Sequence, residues 1–530
     1  MAKGKQFARP GKAPKAKAPE PRTADEFQEA ADKEEETGGK WRAGDPAKAG
    51  RAFLRALEIY DKGLQKFATN FDLAYNKARL ELEVSQSEEI VEKAGLDLEA
   101  LLRKTLESHR VALALDAENV DVRFNTSQVL TSLAEVLSES EDGSDEEAVN
   151  FLHETLEMLE GCLARQEMAI EQQKADFPEG GEEAEDEEGG VPVEGGAEFK
   201  GETAEEAESD DGEEEEQSAV IMNPVTGNDL LDTVHASLSA LTTLIPLVGE
   251  SALGNLGDMA HAFTDTKAPN YIALLPEDEQ DTARTEVGLA RASFIAAYAD
   301  AQFSARLIEL KTYIERLQAF DNIPGKDADA HALTTEAQAR SEVVLSAFDQ
   351  SDSSSEFPAS DCWKQLSITQ DRLTKASKLT TEDAKERKAD IYQSKGDAEL
   401  LRYRLATIPG STLSESVRNS GLTLLSNAFK FYKGAADHAK ALGDADVGDK
   451  AKRRMGMIHV MATVVSKGAS GSGSAAGGSS SSSSSSAAPA PAIPGPAPKG
   501  VDLEEAFNEC LEDGLMDFAS AGQILEGLQG

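Results

Sequence analysis

The sequence predicts an all-α protein built as a solenoid of helical hairpins. Three observations predict it. Apolar residues recur three and four positions apart over most of the chain, the spacing of one helical face. No stretch shows the apolar–polar alternation of a half-buried strand. A pattern also recurs at a fixed distance. FDLAYNKARLEL (71–82) matches VDVRFNTSQVLT (120–131) at an offset of 49 residues, pairing Asp72 with Asp121, Leu73 with Val122, Tyr75 with Phe124, Asn76 with Asn125 and Ala78 with Ser127. A two-helix unit that repeats cannot bury its apolar face alone, so it stacks on its neighbours.

Residues 1–22 carry seven Lys/Arg against Glu20 and are punctuated by prolines, so a disordered basic tail without a secretory core is expected. From residue 24 the helical spacing begins. Gly44–Asp45–Pro46 separates two helical segments, with Pro46 suited to the first turn of the second, which makes an αα-hairpin. LLRKTLESHRVALALDAEN then reads as the second helix of the next pair, and EEAVNFLHETLEMLEGCLARQEMAI as that of the third.

Gly44, Ala49, Phe53 and Ala56 form Gly-x4-Ala-x3-Phe-x2-Ala, which resembles the second half of the tetratricopeptide (TPR) signature. YNKA at 75–78 resembles the start of a TPR first helix. No proline follows Ala56 at the usual distance, and the units are longer than the usual ~34 residues. FDLAYNKARLELE, with the hairpin before it, also resembles a fungal family of TPR-like proteins. The resemblance implies a right-handed superhelix over 23–174. Ala49 and Ala56 would let helices approach, Phe53 would fill the space between them, and first helices would line a concave face. The groove residues it implies are Tyr75, Asn76, Arg79, Phe124, Asn125 and Gln128. TPR domains that clamp a chaperone's C-terminal carboxylate place an Asn where Asn76 stands, flanked by Lys and Arg. Here Glu34, Gly38, Asp121 and Asn125 stand at the flanking positions, so Asn76 and Asn125 are expected to hydrogen-bond across the groove or to nearby backbone.

Residues 176–217 contain 20 Asp/Glu and one Lys, a local charge of −19 (1 − 20). Such a segment buries too little apolar surface to offset chain entropy, so a disordered acidic insertion is expected over 175–225. Helical spacing resumes over 226–466, a second helical block. A flexible Ser/Gly/Ala/Pro linker follows at 467–500. Within 501–530, Leu503, Phe507, Leu511, Leu515 and Phe518 share one face of a short acidic helix. That face either docks back on the solenoid or takes a partner.

The formal net charge of −44 opposes direct nucleic-acid binding and an anionic membrane surface, and favours basic protein clients. No run of 18 apolar residues is evident, and three scattered cysteines suit a reducing compartment. A cytoplasmic or nuclear location is expected. There is no phosphate loop, GxGxxG, GxSxG or HExxH, so neither enzyme nor cofactor is expected. His153 and Cys162 lack a second metal-ligand pair and read as core residues, and His109 reads as solvated. Ser138 and Ser144, each with Glu three residues on, suit an acidophilic kinase.

The expected function is a non-enzymatic interaction scaffold, a TPR-type chaperone or adaptor for basic clients. Histone chaperones and escorts of ribosomal proteins that join a TPR-type fold to an acidic segment are similar in plan. The alternative is a structural adaptor with an inert acidic loop and a recruiting C-terminal segment.

Overall fold

The computed structural model describes residues 20–140, 143–176, 224–351, 357–409, 411–471, 498, 500–517, 520–522 and 524. Most of the expected basic tail, acidic insertion and linker falls outside these residues, as does Phe518. Among the described residues there are helices and no strands. The N-terminal helices are α1 (Ala24–Trp41), α2 (Pro46–Lys66), α3 (Phe71–Ser85), α4 (Glu88–Ala94), α5 (Leu98–Leu115), α6 (Val120–Glu139) and α7 (Asp145–Asp176). The array continues through α8 (Gly227–Leu244), α9 (Glu250–His261), α10 (Ala268–Ile272), α11 (Glu277–Ser304), α12 (Leu310–Arg316), α13 (Ala330–Asp349) and α14 (Ala359–Ala376). It ends with α15 (Glu382–Glu386), α16 (Lys388–Thr407), α17 (Glu415–Arg418), α18 (Gly421–Leu442), α19 (Ala445–Gly471) and α20 (Leu503–Glu512). α19 thus runs five residues beyond the expected boundary at 466.

Contacts run from each helix to its chain neighbours: α1 on α2, α3 on α5, α6 on α7, α7 on α8, α8 on α11, α11 on α13, α13 on α14, α16 on α18 and α18 on α19. This is a stacked array of helical pairs. The 49-residue register is visible in the caps. Asn70 opens α3 and Asn119 opens α6, and each side-chain oxygen accepts from the backbone N–H three residues on, at 2.8 and 3.1 Å. These bonds satisfy orphan amides at the helix start. α4 is an extra short helix between α3 and α5 that the repeat comparison does not anticipate.

The hairpins approach closely where one helix carries glycine and the other an aromatic ring. A Cβ on Gly38 of α1 would lie 2.4 Å from the Phe53 ring on α2, and one on Gly396 of α16 would lie 2.6 Å from Tyr432 on α18. Ala49 and Ala56 flank Phe53, and both are fully buried. On the outer side, second helices are tied by ion pairs one repeat apart: Arg103 to Glu147 at 2.8 Å and Arg110 to Glu154 at 3.2 Å. Farther along, Glu336 is wholly buried and holds Lys326 at 2.9 Å, Arg340 at 2.8 Å and Arg372 at 2.8 Å. Three cations on one carboxylate hold its pKa below the usual range despite burial, and tie α13 to α14.

The core runs without a break across the acidic insertion. Ala134, Leu152 and Leu163 pack in one cluster with Leu230, Leu241 and Phe294. α7 and α8 meet where the insertion leaves and returns. Gln166 donates to Asp229 O at 3.2 Å and accepts from Thr233 Oγ1 at 2.9 Å. Replacing 178–223 by a short linker is therefore expected to leave the melting temperature unchanged or slightly higher. Shortening a loop lowers closure entropy by only about 0.6 kcal/mol per halving. A drop of several degrees in a calorimetric scan would mean the insertion packs on the array.

Two sequence expectations need correction. His109 is completely buried, with Nδ1 2.9 Å from Thr105 O, because it lies on the face of α5 that packs inward. Burial holds its pKa below the ordinary histidine value. The stretch Gly227–Leu247 is long and apolar enough to cross a membrane, with a window hydropathy of 1.3, contrary to the reading that no such run exists. It packs against α7 and α11 here, and 56% of that window is buried, as in the core helix of a globular array. Of the two outcomes expected for the C-terminal segment, the structure shows the first: it is folded back on the array. Phe507, Cys510, Leu515 and Met516 join the core cluster of α16, α18 and α19. Of the expected apolar face, Phe507 and Leu515 are buried and Leu511 is half-buried against the array, while Leu503 is exposed.

Candidate protein-binding groove

The first helices of successive pairs form one face of the array. At its start, side chains of α1, α3 and α6 are hydrogen-bonded to one another. Asn76 Nδ2 donates to Gln28 Oε1 at 3.2 Å, and Tyr75 is hydrogen-bonded to Asn125. The Tyr75 ring stacks on Phe71 with centroids 5.8 Å apart. Tyr60 Oη donates to Glu35 Oε1 at 2.6 Å. Arg79 is clamped between Glu35 at 2.5 Å and Glu83 at 3.3 Å. Its guanidinium is engaged within the protein, so this end of the face has little spare charge to offer.

The six groove residues expected from the sequence therefore divide. Tyr75, Asn76, Arg79 and Asn125 are half-buried members of this polar network. Phe124 and Gln128 line an open cavity of about 580 Å³ between α3, α6 and α8, together with Gln86, Ser132, Glu135 and His235. Ser138 and Ser144 lie exposed at the end of α6 and the start of α7.

A second cavity, about 700 Å³, continues the face between α8, α9, α11 and α13. Its floor is apolar, made by Ile245, Val248, Leu253, Ala297 and Phe320. Asp300 and Glu342 stand in it. Ser346 Oγ donates to Asp300 at 2.5 Å. A third cavity, about 460 Å³, shares Gln338 and Glu342 with the second and ends against Asp390, Asp397, Lys450 and Arg454. Shared walls make the second and third one trough. Thr243 Oγ1 of α8 bridges to Glu135 of the first at 3.4 Å.

Charge distinguishes the middle of this face. Glu135 and Asp232 line the first cavity, and Glu250, Asp300 and Glu342 the second. Among the described residues no lysine or arginine lines either one. Glu135 and Asp232 are exposed residues at the rim of the first cavity, and partial desolvation there pushes both carboxyls upward. Half-burial raises Asp300 too, with Asp349 adding repulsion, and Glu342, an exposed residue, is raised by partial desolvation and then by Asp300 and Asp349. Ionised carboxylates held among their own kind are a standing cost that a cation would relieve.

The direction of the Glu342 shift sets its pH dependence. A folded-state pKa above the unfolded value means the folded chain binds the extra proton, so stability rises as pH falls through the folded pKa. Glu342→Gln is expected to be more stable than the parent at pH 7.5, with the gap closing toward pH 4.5. Parallel melts of the two proteins check it. A constant gap would assign the effect to packing.

Sequence reasoning missed Glu135, Asp232, Asp300 and Glu342, because single carboxylates on acidic helices look like ordinary solvated residues. One signal was available. Phe124 to Thr131, Gln128 to Glu135, Asp232 to Ser239, Ser293 to Asp300 and Thr335 to Glu342 are pairs seven apart, two turns along one face. Elsewhere the chemistry is sparse. Among the described residues no group of His, Cys, Asp and Glu is arranged to hold a metal ion. Cys162, Cys362 and Cys510 are buried, and burial lifts all three thiols, Cys162 to about 11 and the other two to about 12. His153 is exposed and does not join Cys162.

No family model matches the chain. It is similar to UPF0656 protein C926.02 of Schizosaccharomyces pombe, with 39% identity over 125 residues, or 24% of this chain. The chain spans about a quarter of that relative's length, 27%. Among solved structures it shares 12% identity with a "Circular tandem repeat protein with novel repeat topology and enhanced subunit contact surfaces", over 96% of this chain and 98% of the other, at a TM-score of 0.27. A likeness at that level does not bear on function.

Proposed function

We propose that the chain is a non-enzymatic protein-interaction scaffold, a chaperone or adaptor of TPR type that holds a basic segment of a client protein along its inner face. One observation carries this reading. Two neighbouring cavities on the face are lined by Glu135, Asp232, Glu250, Asp300 and Glu342 and, among the described residues, by no lysine or arginine, whereas the third carries Arg387, Lys450 and Arg454. An acidic trough with an apolar floor fits a chain that presents cationic and apolar side chains together, as histone and ribosomal-protein segments do. The −19 insertion between α7 and α8 would concentrate such clients at the trough and raise the association rate. The expected compartments are the cytoplasm and nucleus. Phosphate on Ser138 or Ser144, close to Glu135 in sequence, would add negative charge near the first cavity.

Salt separates this from a scaffold that docks partners through apolar helix faces. Affinity capture with the full chain, repeated without 178–223, is expected to recover basic proteins that are lost at high ionic strength and reduced by the deletion. Partners that survive both changes would favour the adaptor reading, with the trough rather than the C-terminal segment as the docking surface.

A further inference from the structure

We infer that the acidic middle of the groove is occupied, in the absence of a client, by the chain's own basic N-terminal segment around Lys3–Arg9. This rests on the reading of the groove as a site for basic segments.

Three observations on the molecule lead to it. The first is charge complementarity. Among the described residues the two central cavities hold five carboxylates and no lysine or arginine, while residues 1–22 carry seven Lys/Arg against Glu20. The second is chemical pattern. The second cavity has an apolar floor of Ile245, Val248, Leu253 and Phe320 beneath Asp300 and Glu342. The stretch Lys5–Gln6–Phe7–Ala8–Arg9 sets one aromatic residue between two cations. Phe7 suits the floor, Lys5 reaches on toward Asp300 and Glu342, and Arg9, with the shorter span, lies over Glu135 and Asp232 of the first cavity.

The third is reach. The segment enters the described structure at the start of α1, where Lys66 Nζ donates to Pro21 O at 3.3 Å and Arg22 N donates to Glu26 Oε2 at 2.5 Å. Packed helices lie about 8–10 Å apart, so the steps from α1 through α3, α6 and α8 to α11 cover roughly 40 Å. Arg9 lies 11 residues before Glu20, Phe7 13 and Lys3 17. At about 3.3 Å per residue these reach about 36, 43 and 56 Å when extended. The linker that intervenes, Pro10–Pro19, contains three prolines that favour extended backbone. A tethered segment meets its site at an effective concentration on the order of millimolar, so modest contacts suffice to hold it. Ionised carboxylates that lack internal cations gain partners, and a client must displace the segment to enter.

The test uses the full chain and a charge-reversed variant, Lys3→Glu with Lys5→Glu and Arg9→Glu. The probe is a fluorescein-labelled synthetic peptide of residues 1–19, followed by anisotropy at low salt. The variant is expected to bind the probe about ten-fold or more tightly than the parent, because its groove is open. Adding Glu135→Gln, Asp300→Asn and Glu342→Gln to the variant is expected to remove that gain. Circular dichroism confirms that each protein is folded. Equal affinity of parent and variant would overturn the inference while leaving the groove reading in place. Binding that ignores the three groove substitutions but vanishes when 178–223 is removed would also overturn it, with the acidic insertion as the occupant. Failure of the charge-reversed variant to bind the probe at any salt would overturn both this inference and the groove reading.

Discussion

Arg454→Ala is expected to destabilise the C-terminal part of the array by about 3–5 kcal/mol, the range for breaking a buried ion pair from one side. Arg454 is 1% exposed. Its guanidinium bonds Asp397 of α16 with one nitrogen and Asp513, just after α20, with another. Tyr432 of α18 donates to the same Asp397 at 2.5 Å, and the guanidinium lies 5.7 Å from its ring. One cation therefore joins α16, α18, α19 and the C-terminal segment. Removing it leaves Asp397 facing Tyr432 with no counter-charge nearer than Lys450, which is 3.2 Å from Asp513. Burial and Asp397 already push the Tyr432 hydroxyl far above its usual pKa, so it cannot take up the charge.

The loss should be local as well as global. Phe507 and Cys510 stay buried only while the segment is pinned, and Arg453 to Glu509 at 2.5 Å and Lys450 to Asp513 at 3.2 Å are further ionic ties. Arg454→Ala is expected to expose residues after 500 to protease before the rest of the chain. Arg454→Met keeps much of the stem and separates packing from charge. Chemical denaturation showing both variants within about 0.5 kcal/mol of the parent would mean that the pair contributes nothing net, as some buried pairs do when replaced by apolar groups.

Phe53→Ala is expected to cost about 3–5 kcal/mol, the usual result of truncating a buried aromatic ring. Phe53 is 2% exposed and packs in one cluster with Phe27, Ala31, Ala49 and Tyr60. Gly38 offers no side chain to fill the space that the ring would leave, so little collapse can offset the cavity. A thermal melt should show the N-terminal hairpin loosening first, since it is the end unit with a neighbour on one side only. Phe53→Leu combined with Gly38→Ala should recover part of the loss, because the added methyl fills space the smaller side chain vacates. An unchanged melting temperature for Phe53→Ala would contradict the packing described here.

Much of the helix layout was readable in advance, for reasons that particular residues display. Asn70 and Asn119 cap α3 and α6 in the same register that matched Asp72 to Asp121. Pro46 sits at the start of α2, and Phe53 lies where the small-small-aromatic-small spacing puts it. The groove was readable only at its N-terminal end. Phe124 and Gln128 reach the first cavity, whereas Arg79 is held by Glu35 and Glu83 rather than offered to a partner. Glu35 is 44 residues from Arg79 along the chain, and no local pattern announces that pair.

The sequence by itself determined the all-helical class, the hairpin repeat and the excess of negative charge. Each of these depends on local spacing or on composition. Only the tertiary structure decided that the core runs unbroken across the acidic insertion, that the C-terminal segment caps the array through Arg454, and that Asp300 and Glu342 face one trough with Glu135 in the neighbouring cavity. These depend on which distant faces meet, and many pairings of acidic amphipathic helices satisfy the same periodicity. Shape complementarity selects among them, as where Gly38 admits Phe53 and Gly396 admits Tyr432.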